Sequence, residues 1–532
     1  METKYIFVTG GVASSLGKGI ISSSIAKLLQ ARGYNVTIQK FDPYININAG
    51  LLNANEHGEC YVTVDGHEAD LDLGHYERFL GVEMTKQNNI TTGRIYQSVI
   101  NKERREEYRG KTVQVVPHIT NEIKMNMTAL GNKFHYDFVV TEIGGTVGDI
   151  ESLPYIECVR QLKWELGKNA LSVHLTYVPY LAAAGEMKTK PTQHSVQKLQ
   201  SLGVQPDILV LRAEHEVEED MRRKVALFCN VDADAVVQSI DVPTIYQVPI
   251  NLLNQHMDEI ILRKMGLPIG EKPTLGPWNS FLKRRQEAKR VVRIGLVGKY
   301  ELQDAYKSIM ESLSQAATYN DSKLKLEFVY SEELTSDNVA RTLESYQGIV
   351  LGPGFGQHGV DGIYVAAQYA REHNIPTFGI QLGMQCMSIE FARNVLGYSD
   401  ANVKEHDPDT KHNVIDIMEE NKVMTNIDGT MRLGSFECAL KKGSKTEKIF
   451  GKEVISGRHR HRYELNNAFI EDFEKAGMKC VGVNPETRLI EVVEIPELRW
   501  YIGVQFHPEY ESTVLNPHPL FLSFIKESLE SK

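Results

Sequence analysis

Cysteine is sparse in this chain of 532 residues, and the six that occur, Cys60, Cys158, Cys229, Cys386, Cys438 and Cys480, are scattered without CxxC spacing. That pattern excludes a zinc ribbon and a disulfide framework, and reduced thiols are the expectation. Long apolar runs are missing too: none reaches the roughly 18 residues that a membrane-spanning helix needs. The start, METKYIFVTGG, passes from a short apolar stretch straight into glycines, with no signal-peptide hydrophobic region. A cytoplasmic location is therefore expected. An excess of basic residues is also lacking. Lys and Arg number 59 against 69 Asp and Glu, a net charge of -10, which argues against a surface for non-specific nucleic-acid binding and leaves room only for local basic pockets that take small nucleotides.

What the chain does contain is 42% hydrophobic residues, ordinary for globular cores, in a length suited to two or three domains. Short β-rich runs over 5–9, 35–40, 138–141, 172–178, 208–212 and 244–248 predict strands. Helical patterns over 20–29 and 156–166 lie between them, and this alternation favours a mostly parallel α/β sheet. After Met265 the stretch GLPIGEKPTLGPW gathers prolines and glycines, and the charged SFLKRRQEAKR follows. Together they read as a linker. A second α/β unit then opens with strands expected in VVRIGLVGKY, QGIVLGPGFG and PTFGIQLG, and in residues 501–507. The expected division is 1–267, a linker over 268–290, and 291–532.

The glycine-rich segment from Gly10 to Gly19, GGVASSLGKG, lies between a predicted strand and a predicted helix. There, backbone N–H groups and the positive helix end suit phosphates, with Lys18 reaching the outer ones. The spacing from Gly11 to Gly17 is one residue longer than in GxxxxGK[ST], and Gly19 stands where a hydroxyl would hold magnesium. Carboxylates must then hold the ion. Asp72 and Glu142 are the candidates, with Asp70 the nearest competitor.

SSLGKGI, FDPYIN, NEHGE, DGHEADLDLGHYERF, EIGGTVGDIES and GEMKTKPTQHSVQ occur in this order, and together they resemble the amidoligase domain of the CTP synthase family. The resemblance implies a P-loop-like synthetase domain that phosphorylates O4 of UTP with ATP and lets ammonia displace the phosphate. It implies that Ser15, Leu16, Gly17, Lys18, Gly19, Ile20 and Asp72 bind ATP, with Ile240, Asp241 and Val242 near the adenine. Ile240 departs from the lysine that the family tends to show. Asp72 and Glu142 would hold magnesium. UTP, or CTP as inhibitor, would be bound by Ser14, Asp149, Ile150, Glu151, Lys188, Thr189, Lys190, Pro191, Thr192, Gln193 and Lys224. The family also implies GTP activation, a homotetramer and filaments. His57 reads either as a packed loop histidine or, by resemblance, as part of an ammonia inlet.

The second half carries Gly352–Gly356 (GPGFG), Phe378–Gln385 (FGIQLGMQ) and Gly503–Glu509 (GVQFHPE), which resemble the oxyanion loop, nucleophile elbow and His–Glu pair of class I glutamine amidotransferases. There a cysteine at the elbow attacks the glutamine amide, a histidine (here His507) activates it, and a glutamate (here Glu509) orients the histidine. Position 381 is glutamine instead. A carboxamide forms no acyl-enzyme, so the glutaminase step is expected to be impaired, whether through an engineered change or in an enzyme that takes free ammonia. Cys386, about 140° further around the expected helix, is expected to be a packed thiol. The resemblance places Gly354, Leu382, Gly383, Met384, Gln385, Glu405 and Arg462 in the glutamine pocket, Arg462 as a carboxylate clamp. Two rivals stand beside this reading: another glutamine-dependent P-loop synthetase, and a nucleotide-sensing or filament-forming protein without catalysis.

Overall fold

The computed structural model describes residues 2–404, 407, 409–417 and 431–531. The chain forms two compact units, Met1–Ala49 with Asp72–Gly276, and Gly50–Leu71 with Pro277–Lys532.

The first unit is built on seven strands: β1 (Lys4–Gly10), β2 (Val36–Asp42), β3 (Asn89–Thr91), β4 (Phe138–Ile143), β5 (Ala170–Tyr177), β6 (Ile208–Ala213) and β7 (Val236–Ile240). They are ordered β7-β6-β5-β1-β4-β2-β3, and every pairing is parallel. Every residue of β1, β2 and β4 is buried, as expected where helices cover both faces of a parallel sheet, and this is why their sequences read as near-continuous apolar runs. Helix α1 (Lys18–Ala31) follows the glycine loop and packs on α2 (Asp72–Leu80). A further helix, α3 (Lys190–Ser201), follows β5.

One expected strand is absent. Residues 244–248 form a short turn, Ile245–Gln247, and the start of a helix, Val248–Asn254; the edge strand is β7 instead. Pro249 lies in the first turn of that helix, where its missing N–H costs nothing and its fixed φ favours the helix. The apolar character of the segment hid this helix start.

The second unit holds a nine-stranded mixed sheet. Its strands are β8 (Arg290–Gly298), β9 (Ser322–Tyr330), β10 (Gly348–Leu351), β11 (Thr377–Ile380), β12 (Arg432–Leu440), β13 (Val454–His461), β14 (Lys479–Val483), β15 (Ile490–Glu494) and β16 (Tyr501–Val504). Their order is β9-β8-β10-β11-β16-β15-β14-β12-β13. Pairing is parallel from β9 through β16 and antiparallel beyond. Residues 50–71 belong to this unit. The Tyr61 hydroxyl donates to the Tyr510 carbonyl, the Tyr510 hydroxyl donates to the Cys60 carbonyl, both at 2.9 Å, and Arg458 donates to the Tyr61 oxygen at 3.0 Å. Within the stretch read as a linker, Gly276–Glu287 is helical and buries Trp278 and Phe281.

A buried polar bridge ties the first sheet to α3. His174 on β5 is fully buried, with Nδ1 2.8 Å from the Thr9 hydroxyl and Nε2 2.8 Å from the Ser195 hydroxyl. Burial, then the charge of Lys18, pushes the imidazole down to about 3. The folded value lies below the unfolded one of about 6.5, so the unfolded chain takes up the proton and stability is lost as pH falls below that value. Thermal unfolding of the chain between pH 7.5 and 5 should therefore show an acid loss that His174→Asn makes shallower, by up to about 1.4 kcal/mol per pH unit. An unchanged slope in the variant would mean that His174 is not a source of the acid sensitivity.

Candidate active site

In the first unit the loop from Gly11 to Gly17 leaves the carboxyl end of β1 with Val12, Ser15 and Gly17 at φ 79°, 57° and 94°. A β-branched residue such as Val12 rarely adopts that region, and such strain, of order 1–3 kcal/mol, collects at functional loops. Positive-φ residues are one element of the alternating backbone that forms anion nests. The loop lies hard against α3: a Cβ on Gly11 would sit 1.7 Å from the Ser195 hydroxyl. The bridge through His174 is thus the floor of the loop.

Lys18 opens α1 and its Nζ donates to the Gly145 carbonyl at 3.0 Å, at the end of β4. Burial lowers its pKa, against the pull of Glu142. Asp72 and Glu142 converge on the first turn of the same helix, since a Cβ on Gly19 would lie 2.3 Å from Asp72 Oδ1 and 3.4 Å from Glu142 Oε2. This is the physical reason for glycine at the position where a P-loop has a hydroxyl. Lys40 donates to Asp72 and lies 3.3 Å from Asp42, and the Tyr76 hydroxyl donates to Glu142. Burial, then the Asp72 charge, pushes Glu142 up to about 7. At Asp72 burial acts in the same upward sense, but Lys40 and His75 outweigh it and hold the carboxyl below its usual value. Among the described residues no three His, Cys, Asp or Glu side chains form a metal cage; the acidic pair offers two carboxylates.

The remaining expected nucleotide residues divide by exposure. Ser14, Asp149, Ile150, Glu151 and Lys224 are exposed, and Lys188 and Thr189 half-buried. Thr192 and Gln193 are buried in α3, where the Thr192 hydroxyl donates to the Tyr177 carbonyl at 3.1 Å. Asp241, just past β7, is held by Arg212.

In the second unit three neighbouring strands deliver three motifs to one edge. Leu351 of β10 pairs with Gly379 of β11, and Ile380 of β11 pairs with Val504 of β16. Residues 354, 381 and 507 follow these strand ends. Gln381 turns the chain sharply, at φ 50° and ψ -102°, into helix α4 (Leu382–Asn394). The elbow needs small residues: a Cβ on Gly383 would lie 2.1 Å from the Leu351 carbonyl oxygen, and one on Gly379 2.2 Å from the Met387 sulfur. His507 Nδ1 lies 2.7 Å from Glu509 Oε1, and both residues are buried. The imidazole stacks on the Tyr510 ring at 4.9 Å, its backbone N–H donates to the Arg458 carbonyl at 2.7 Å, and its Nε2 is buried with no partner.

The Gln381 carboxamide is 3% exposed, and its Oε1 accepts the Gly354 N–H at 2.9 Å. A cavity of about 100 Å³ lies beside it, lined by Gly354, Leu382, Gln385 and Arg462 among others. Arg462 Nε is buried there without a partner. Gly383 and Met384 are buried in α4, and Glu405 lies outside the described residues. Cys386 is fully buried in the same helix, and burial pushes its thiol up to about 12, the state of an inert packed cysteine. His57 is exposed, so its reading as a packed histidine does not hold.

Sequence reasoning missed Tyr76, His174, Ser195 and Lys299. Lys299 donates to the Gly356 carbonyl at 2.7 Å and so braces the loop after β10. Tyr76 and Ser195 lie inside motifs read for other residues, and His174 and Lys299 lie outside those motifs; each acts on a partner that only the fold brings to it.

Comparison with known proteins agrees with this geometry. The family description "CTP synthase N-terminus" matches residues 4–267, and "Glutamine amidotransferase class-I" matches residues 301–527. A protein named CTP synthase from Bacteroides fragilis is 72% identical over 530 residues, 99% of each chain. One from Bacteroides thetaiotaomicron is 70% identical over 533 residues, 100% of this chain and 99% of its own, and one from Porphyromonas gingivalis is 65% identical over 532 residues with the same coverage. Similar at this level from end to end, the chain belongs to the CTP synthase family.

Proposed function

We propose that this chain makes CTP from UTP, ATP and ammonia, and that it does not obtain the ammonia by hydrolysing glutamine. Membership of the family makes it a carbon–nitrogen ligase with a glutamine amidotransferase domain. The observation that carries the finer reading is the carboxamide at the elbow: His507 and Glu509 stand assembled, but position 381 has no group to attack an amide.

In the synthetase unit the strained loop and Lys18 gather the ATP phosphates, while Lys188, Lys190 and Lys224 offset the charge of UTP. O4 of UTP bonds to the γ-phosphorus as the bond to the ADP oxygen breaks; ammonia then bonds to C4 and phosphate leaves. The protein's part is positioning and charge neutralisation. Asp72 and Glu142 are hard oxygen donors whose mutual repulsion a divalent cation would relieve, so they fit magnesium. Bound there, the ion would neutralise phosphate charge. The reading brings with it GTP as activator, CTP as inhibitor, a homotetramer able to form filaments, and a cytoplasmic site of action. These rest on the family; among the described residues no helix is long and apolar enough to cross a membrane.

Lys18→Ala should lower ammonium-dependent CTP formation at least ~100-fold, the scale for losing one preorganised charge contact; turnover near that of the unchanged chain would reduce the loop to a structural turn. Asp72→Asn or Glu142→Gln should raise the magnesium concentration needed for half-maximal rate, and an unshifted magnesium curve in both would contradict the metal assignment. With glutamine as sole nitrogen source the chain should make almost no CTP, Gln381→Cys should recover glutamine-dependent synthesis, and Cys386→Ser should change little. Glutamine-driven synthesis that Cys386→Ser abolishes would make Cys386 the nucleophile.

A further inference from the structure

We infer that the Gln381 carboxamide is a built-in surrogate for the substrate amide, filling the oxyanion position beside Gly354 and keeping free glutamine out of its pocket. The inference deepens the proposed function and rests on it for the identity of the pocket. It goes further in one respect: loss of a thiol alone would leave a pocket that still binds glutamine, whereas a filled oxyanion position would not.

The chemistry is one of identity. The side chain of residue 381 ends in the same primary amide that a glutaminase must polarise, and its oxygen accepts a hydrogen bond from a backbone N–H of the oxyanion loop at 2.9 Å. Such a donor is preorganised for a carbonyl oxygen that takes on charge. The donor itself is held, because Lys299 grips the following loop carbonyls.

The root of the side chain is held as well. The Gln381 N–H donates to the Val504 carbonyl at 2.8 Å, its carbonyl accepts from the Gln385 N–H at 3.2 Å, and the residue is 3% exposed. Free glutamine must therefore displace a group already tethered at the spot, whose effective concentration is of millimolar order or higher. What remains open is a cavity of about 100 Å³, against the roughly 300 Å³ at which small-molecule pockets usually begin. The unpartnered Nε of Arg462 lines it. Arg462 thus presents a cation at one end of the cavity while the Gln381 amide occupies the other.

The test is calorimetric titration of L-glutamine into the full chain and into Gln381→Gly, Gln381→Asn and Gln381→Glu. Glycine and asparagine both tolerate the positive φ of this position, and both withdraw the amide from Gly354. They should bind L-glutamine at least about tenfold more tightly than the unchanged chain, a gain of about 1.4 kcal/mol. Glutamate keeps an oxygen at the same reach and should gain nothing. Equal affinity in the unchanged chain and the glycine and asparagine variants would overturn the inference, as would an equal gain in the glutamate variant. The titration reads binding alone, so it stands apart from the proposed function, which fails if the unchanged chain makes no CTP from ammonium.

Discussion

The parallel pairing that joins β10, β11 and β16 is the constraint on which the second unit depends. Because Leu351 faces Gly379 and Ile380 faces Val504, the residues just beyond these strands leave the sheet together, and motifs more than a hundred positions apart become neighbours. Residue 381 can only emerge there if α4 starts at once and packs close, which is what Gly379 and Gly383 allow. The first unit obeys the same rule, that functional groups gather beyond the carboxyl ends of parallel strands. Its neighbouring strands β1 and β4 bring the glycine-rich loop, Lys18 and Glu142 together, and the packing of α2 on α1 adds Asp72.

The two units differ in what that placement holds. Around Gly19 the carboxylates, Lys40 and Tyr76 form a set of opposed charges and hydrogen bonds, with Glu142 pushed up to about 7 by burial and by its acidic neighbour. Such a set suits a cation and polyphosphates. Around Gln381 the buried His507–Glu509 hydrogen bond is in place, and the Gln381 side-chain oxygen accepts from the Gly354 N–H. Cys386, in the same helix, is fully buried, and burial raises its thiol pKa.

Local patterns were what the sequence could show. The strands over residues 5–9 and 138–141 stood out because burial on both faces demands unbroken apolar runs; residues 244–248 have the same composition but precede Pro249, and the helix start prevailed. The motifs around Lys18, Gly354, Gln381 and His507 were legible because each is contiguous. His174 was not, since its role depends on Thr9 and Ser195, which only the strand order and α3 bring to it. Nor was the membership of residues 50–71 in the second unit, which rests on contacts such as Tyr61 with Tyr510, 449 positions apart. The glutamine at position 381 was visible at once, but its hydrogen bond to the Gly354 N–H was not.

The central claim is that nitrogen reaches UTP in this chain only as free ammonia. The most direct measurement gives the protein UTP, ATP, magnesium and GTP with ¹⁵N-ammonium and unlabelled glutamine together, and reads the isotope in the 4-amino group of CTP by mass spectrometry. The account predicts ¹⁵N in essentially all of the product. CTP that carries unlabelled nitrogen in proportion to the glutamine supplied would contradict it.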